Sequence, residues 1–292
     1  MSYTRSVLIT GGTINLGYYA ALEIAREHPD WLVVIGSRSD KEHAAESINK
    51  TLQQNNVFFL HLDLSESENV RTFAENWIAK GYPPIQALLL NAALQFPDKM
   101  VLTAEGIEAT YAISHVGHAL LFHLLCPYLA QNAHVVVTAS GVHDPAQKSG
   151  LPDAIYTTAE ELAHPPPAMA KRPGTGHYTN TKLANFLWTY VLNRRLSQNV
   201  PDRGIKTGVM RFAWFKIFPR ITPLLRVVFT ANIHKPSESG ASLAHVADNA
   251  ANVSGKYFEG RKEIQSSQQT YDEKKQDDLW QWTIKHCVEN EE

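Results

Sequence analysis

Short apolar runs alternate with stretches of helical periodicity along this chain, from its N-terminus to about Met210. Ser6–Thr10 and Leu32–Gly36 read as buried strands, with a helix from about Asn15 to His28 between them. Val57–Leu60, Ile85–Leu90, His134–Thr138 and Ile205–Met210 continue the series, and Val253-Ser-Gly-Lys-Tyr-Phe suggests a seventh strand. Between the fourth and fifth, Ile107, Tyr111, Ile113, Val116, Leu120, Leu121, Leu124 and Leu125 recur at helical spacing over Gly106–Leu129. Continuously apolar strands are those buried on both faces of a parallel sheet, and parallel neighbours need a crossover helix. The pattern therefore predicts an α/β fold: a doubly wound, seven-stranded, mostly parallel sheet with helices on both faces. At 292 residues the chain is long enough for one large domain with a well-buried core. Residues 1–260 read as that domain, and 261–292 as a polar, helical C-terminal extension bearing Trp280 and Trp282.

The composition removes several function classes. A net charge of −2 supplies no positive field for nucleic acid. Cys126 and Cys287 lack CxxC or Cys/His spacing, which argues against a disulfide scaffold or zinc site. That usage fits a reducing compartment, and the cytoplasm is expected. The first strand begins near Ser6, leaving no room for a secretory signal, and no apolar run is expected to have the length of a bilayer span. The expected partner is a small molecule, with no nucleic acid, transmembrane segment or metal.

Thr10-Gly-Gly-Thr-Ile-Asn-Leu-Gly17 joins the first strand to the first helix. Glycines there permit a tight turn and let the backbone approach a pyrophosphate, whose charge suits a helix N-terminus. Thr10, Gly11, Asn15, Leu16 and Gly17 are the residues of this turn expected at a dinucleotide. Asp63 and Leu64 follow the third strand, and Asn91 and Ala92 the fourth. The Asp63 carboxylate has two readings, as acceptor for an adenine amino group or as cap of the next helix. Asn91 and Ala92 likewise either line the adenosine side or simply form a turn. The second strand ends in Ser37-Arg38, with no acid for a ribose 2′-hydroxyl. A hydroxyl and a guanidinium suit a 2′-phosphate, unless Arg38 is a solvated surface residue, so the expected cofactor is NADP(H) rather than NAD(H).

Tyr178 and Lys182 stand four apart in HYTNTKLANFLWTYVL and so share a helix face. A free phenol ionises at about pH 10. An ammonium beside it favours phenolate, so a lowered Tyr178 pKa is expected, suited to acid–base work. Lys182 can also bond the nicotinamide ribose. Ser140 leaves the fifth strand at its C-terminal end, where ligands bind in open α/β sheets, and its hydroxyl can hold a substrate oxygen beside Tyr178.

TGGTINLG, HLDL, NAA, Ser140 and YTNTK occur in the order found in the short-chain dehydrogenase/reductase family, which the chain resembles over roughly residues 5–260. HDPAQKSGLPDAIYTTAEELA and VSGKYF resemble its retinol-dehydrogenase-like and protochlorophyllide-reductase-like branch. EGIEATYAISHVGHALL is similar to the family's long interface helix. The resemblance implies a Rossmann-type sheet, a serine–tyrosine–lysine site, and homodimers or homotetramers packed through the Gly106–Leu129 and Tyr178–Leu196 helices. It also puts a fourth catalytic position, usually Asn, on Ser114, whose hydroxyl can still bond a relay water. Asn15 stands where the family usually has Gly, and Asn tolerates positive φ better than most residues. Arg211-Phe-Ala-Trp-Phe replaces an expected Pro-Gly pair, and Ile217 replaces a Thr that binds the carboxamide.

His115 and His118, three apart on the long helix, read as packing residues, and His177, beside Tyr178, reads either as lining the site or as a loop end. The Pro- and Gly-rich stretch 143–177 is longer than a connection needs. The aromatic segment 212–234 reads either as a substrate lid or as core. Together these segments would wall an apolar pocket. The expected function is an NADPH-dependent reductase, reversible as an alcohol dehydrogenase, acting on the carbonyl of a bulky apolar small molecule. The departures leave two alternatives: an NADP(H)-binding sensor or interaction protein, and a cofactor-scaffolded non-redox isomerase or cyclase.

Overall fold

The computed structural model describes residues 3–211, 235–249 and 253–287. β1 (Arg5–Thr10) leads into α1 (Asn15–Glu27), β2 (Trp31–Ser37), α2 (Ala44–Leu52), β3 (Val57–His61), α3 (Ser67–Ala79) and β4 (Ile85–Leu90). A long helical stretch follows: α4 (Ala109–Tyr111), a π-helical segment (Ala112–Val116), α5 (Gly117–Leu125) and a 3-10 turn (Cys126–Tyr128). Next come β5 (Leu129–Ala139), the short helices α6 (Ala159–Ala163) and α7 (Pro167–Ala170), α8 (Gly174–Asn199) and β6 (Lys206–Arg211). α9 (Pro236–Asn249), β7 (Lys256–Glu259), β8 (Lys262–Ile264) and α10 (Glu273–Cys287) lie beyond.

The strands form one sheet in the order β3-β2-β1-β4-β5-β6-β7-β8. β1 to β7 pair in parallel, and β8 runs antiparallel to β7. The eighth strand corrects the expected count of seven. It is three residues long and two of them are charged, so no apolar run marks it. Gly260, at φ 61°, turns the chain back to make it. The winding reverses between β1 and β4, which opens a crevice at their carboxyl ends.

Alternation along the strands builds two cores. Val7, Ile9, Val33, Ile35 and Leu89 face α1, α2 and α9. Leu8, Val34, Leu88, Leu90, Val135 and Val137 face α3, the long helix, α8 and α10. Leu279 of α10 is fully buried in that second core, and β8 belongs to the sheet.

Ala109–Tyr128 is 20 residues long with a mean hydropathy of 1.2, long and apolar enough to cross a bilayer. This corrects the expectation that no run reaches that length. Its apolar window is 83% buried inside the protein, so the core takes up those faces. The π segment lies within it, and such segments concentrate at functional positions. The Pro-rich stretch 143–177 follows a 3-10 turn at Gly141–His143 and carries another at Pro145–Gln147, then α6 and α7. α8 begins at Gly174, one turn before the expected start at Tyr178. The proposed lid 212–234, with Phe212, Ala213 and Ile217, lies outside the described residues.

Candidate active site

The crevice between β1 and β4 is clasped by two side chains. The Thr10 hydroxyl accepts the N–H groups of Asn91 at 2.8 Å and Ala92 at 2.9 Å. It lies 2.8 Å from His118 Nε2 and 3.3 Å from the Leu89 carbonyl, so its proton is assigned to the ring. Asn91 Nδ2 donates to the Thr10 carbonyl at 2.9 Å, and Asn91 Oδ1 accepts from Thr138 Oγ1 at 3.2 Å. Asn91 thereby ties the ends of β1, β4 and β5.

The turn after β1 has the shape a pyrophosphate needs. Gly11 sits at φ 65° and Asn15 at φ 51°, so Asn15 takes the left-handed conformation its side chain tolerates. A Cβ on Gly17 would lie 2.2 Å from the Gly11 carbonyl oxygen, so only glycine lets α1 come this close. The α1 N-cap is Ile14, 58% exposed, and its side chain has no acceptor with which to cap the first N–H groups of the helix. These features fit a dinucleotide: a cradle that a Cβ would fill, beside a helix N-terminus whose cap residue supplies no acceptor. At the end of β2, Thr13 Oγ1 donates to Ser37 Oγ at 3.2 Å, with exposed Arg38 next in the chain. Asp63 Oδ1 accepts the Ser65 N–H at 3.0 Å and its hydroxyl at 2.8 Å. This closes a local turn; the α3 cap is Glu66 instead. Leu64 faces the core, and its carbonyl oxygen would lie 2.5 Å from a Cβ on Gly117, so the long helix packs closely there.

Ser140, Tyr178 and Lys182 come together at the end of β5. Ser140 Oγ accepts the Val142 N–H at 3.4 Å, and its carbonyl accepts from His143 Nδ1 at 2.8 Å. His143 stacks on Phe186 at 3.8 Å, and its Nε2 accepts the Ser267 N–H at 3.2 Å. Burial pulls the His143 pKa down to about 4, so the ring is a neutral clamp on the Ser140 backbone. The sequence reading used His143 only as a loop boundary. Lys182 is 2% exposed; its Nζ donates to the Thr138 carbonyl at 3.0 Å and lies 5.5 Å from the centre of the half-buried Tyr178 ring. Burial lowers the Lys182 pKa to about 8.

The expected lowering of the Tyr178 pKa is corrected. Burial raises it above the usual phenol value, and a hydrogen bond with Ser140 only partly offsets this. Taking a phenolate out of water costs more than its surroundings return. Tyr178, like any phenol, is protonated near neutral pH and can serve as a proton donor.

Ser114 lies in the π segment at 1% exposure, and its hydroxyl has no hydrogen-bond partner among the described residues. Its carbonyl accepts from His118 Nδ1 at 3.3 Å, and His118 Nε2 accepts from Thr10. Burial lowers the His118 pKa to about 3, and Lys182 pushes the same way. The packing role expected of His118 is thus specific: a neutral ring joins the Ser114 segment to the Thr10–Asn91 clasp. His115 packs likewise, bonded to Thr283 at 3.0 Å. Arg211, 6% exposed, bonds Glu259 at 2.8 Å and Gln147 at 3.1 Å, tying β6 to β7 and to the 143–177 loop. An arginine directly after the apolar run that ends at Met210 is the sequence signal that could have marked it.

Residues 5–158 match the family described as short chain dehydrogenase, more than half of the chain. The chain belongs to that family of nicotinamide-dependent oxidoreductases. Polyprenol dehydrogenase of Homo sapiens is 27% identical over 288 residues, covering 94% of this chain and 83% of that protein. Retinol dehydrogenase 12 of Bos taurus is 27% identical over 282 residues, covering 95% and 84%. Protochlorophyllide reductase A of Oryza sativa subsp. japonica is 28% identical over 309 residues, covering 94% and 78%. These relatives bear out the branch that the sequence resembles. A crystal structure of an uncharacterized Mycobacterium Paratuberculosis protein has the same fold, with a TM-score of 0.73, 23% identity, and coverage of 98% of this chain and 94% of that one.

Proposed function

We propose that this chain is an NADPH-dependent reductase, reversible as an alcohol dehydrogenase, acting on the carbonyl of a bulky apolar small molecule. The reading rests on one observation: the Tyr178 phenol, hydrogen-bonded to Ser140, stands with buried Lys182 at the carboxyl edge of the sheet. A protonated donor there suits reduction.

Gly11, Asn15, Leu16 and Gly17 would hold the pyrophosphate. Asp63, through the oxygen not used by Ser65, and the Asn91–Ala92 backbone would face the adenosine. Ser37 and Arg38 would take a 2′-phosphate, which is the reason to favour NADP(H). The bound nicotinamide supplies the hydride. Ser140 holds the substrate oxygen, and Tyr178 gives that oxygen its proton. The Lys182 ammonium stabilises the phenolate left behind. The Ser114 hydroxyl, without a hydrogen-bond partner among the described residues, offers a place for a water in the proton path.

Support for a bulky apolar substrate comes from relatives named for retinol and polyprenol, both long apolar alcohols. The unpaired thiols Cys126 and Cys287 suit a reducing compartment, and we place the activity in the cytoplasm. The test is Tyr178→Phe, assayed against a panel of apolar aldehydes and ketones by loss of NADPH absorbance. Removing a general acid should slow reduction by about 10² to 10⁴-fold while NADPH still binds. Full turnover by this variant on a substrate that the parent reduces would overturn the assignment.

A further inference from the structure

The two helices expected at a subunit interface show no free face over their central lengths in the single chain. Ile107–Phe122 are buried without a break, and so are Thr179–Thr189 of α8. A standard interface takes about 800 Å² from each partner. Helices enclosed this way have no such area to give.

α10 packs over them. Its buried positions Gln276, Leu279, Thr283 and Cys287 fall on one stripe of the helix. Thr283 bonds His115 of the long helix at 3.0 Å, and Trp282 packs on Tyr111 at 5.8 Å. On the α8 side, Asp277 pairs with Arg194 at 2.7 Å and with Arg195 at 3.2 Å. The same helix reaches the Pro-rich loop. Asp278 Oδ2 accepts the Tyr156 hydroxyl at 2.7 Å and the Ala159 N–H at 2.8 Å, at the first turn of α6.

We propose that α10 fills, within one chain, the place of a second subunit. The chain then does not pair through the long helix and α8, and the loop 143–177 is ordered by α10 instead of by assembly. That loop is a substrate wall only if the proposed reductase reading holds; the closed face does not depend on it.

Sedimentation velocity on the full chain, with and without NADPH and over a roughly hundredfold concentration range, tests the proposal. A species of single-chain mass is expected. A dimer or tetramer whose cross-links join the long helix or α8 of two chains overturns it; an assembly linked only through other surfaces leaves this face closed, as proposed. Hydrogen exchange gives a second readout. The Leu279–Thr283 amides should exchange as slowly as those of Leu183–Trp188, and exchange within seconds would show α10 detached and the face open. Leu279→Glu should loosen α10 and either drive self-association or open the loop to protease. A variant that stays monomeric with unchanged protection also counts against the proposal. None of these readouts needs a substrate, so a failed activity assay would leave the inference intact.

Discussion

Thr10→Val is the sharpest probe of the crevice. The substitution keeps the side chain's shape and removes only the hydroxyl. That hydroxyl is wholly buried, accepts two backbone N–H groups at 2.8 and 2.9 Å, and donates to His118 Nε2 at 2.8 Å. Valine leaves all three groups without this partner, and each buried orphan costs about 1–3 kcal/mol. Asn91 and Ala92 are only partly buried, so water can recover some of the loss. A net destabilisation of about 2–4 kcal/mol is expected, read from the denaturant midpoint. The Asn91–Ala92 turn should also relax, weakening NADPH binding about tenfold, measured by cofactor fluorescence. His118→Leu, alone and combined with Thr10→Val, should show a coupling of about 0.5–1.5 kcal/mol, since the two side chains touch. A loss below about 0.5 kcal/mol, or no coupling, would refute the idea that this hydroxyl clasps the crevice.

Arg38→Ala should weaken NADPH binding about ten- to a hundredfold and leave NADH binding unchanged; equal effects on both would remove the basis for the 2′-phosphate assignment. For reduction, kcat/KM should be level below the Lys182 pKa of about 8 and then fall about tenfold per pH unit as the ammonium is lost. An alkaline plateau would mean that Lys182 acts in some other way. His115 and His118 are both lowered to about 3 by burial. The unfolded chain binds more protons on these residues below about pH 6.5, so stability should drop on acidification by about 1.4 kcal/mol per pH unit for each ring. Equilibrium unfolding at several pH values checks this, and His118→Gln should remove one ring's share.

The layered α/β fold was legible because it needs only where apolar runs fall and how long they are. The left-handed Asn15 was legible too, since few side chains accept that conformation. Other features depend on depth or neighbours, which spacing does not carry. Four-residue spacing puts Lys182 beside Tyr178 but says nothing of burial, and burial reverses the expected direction of the phenol's shift. The π segment inserts an extra residue into a helix whose apolar pattern still reads as ordinary periodicity. α10 is visible in the sequence as a polar helical extension, but its buried stripe of Gln276, Leu279, Thr283 and Cys287 is too narrow to stand out there. Asp63 and Asn91 each had two readings; the local turn made by one Asp63 oxygen and the interstrand clasp made by the Asn91 side chain depend on neighbours that spacing does not name.

The shortest strand has a consequence for how the molecule meets its own kind. β7 carries Tyr257 and Phe258, and without β8 its outer row of amides and carbonyls would be a template for a strand from another molecule. Instead the sheet ends on three residues, with Lys262 and Glu263 exposed and Lys256 paired to Glu263 at 2.8 Å. A border this short and this charged offers an incoming strand almost no register to grip. The hairpin blunts the sheet against aggregation at the margin nearest the chain's end.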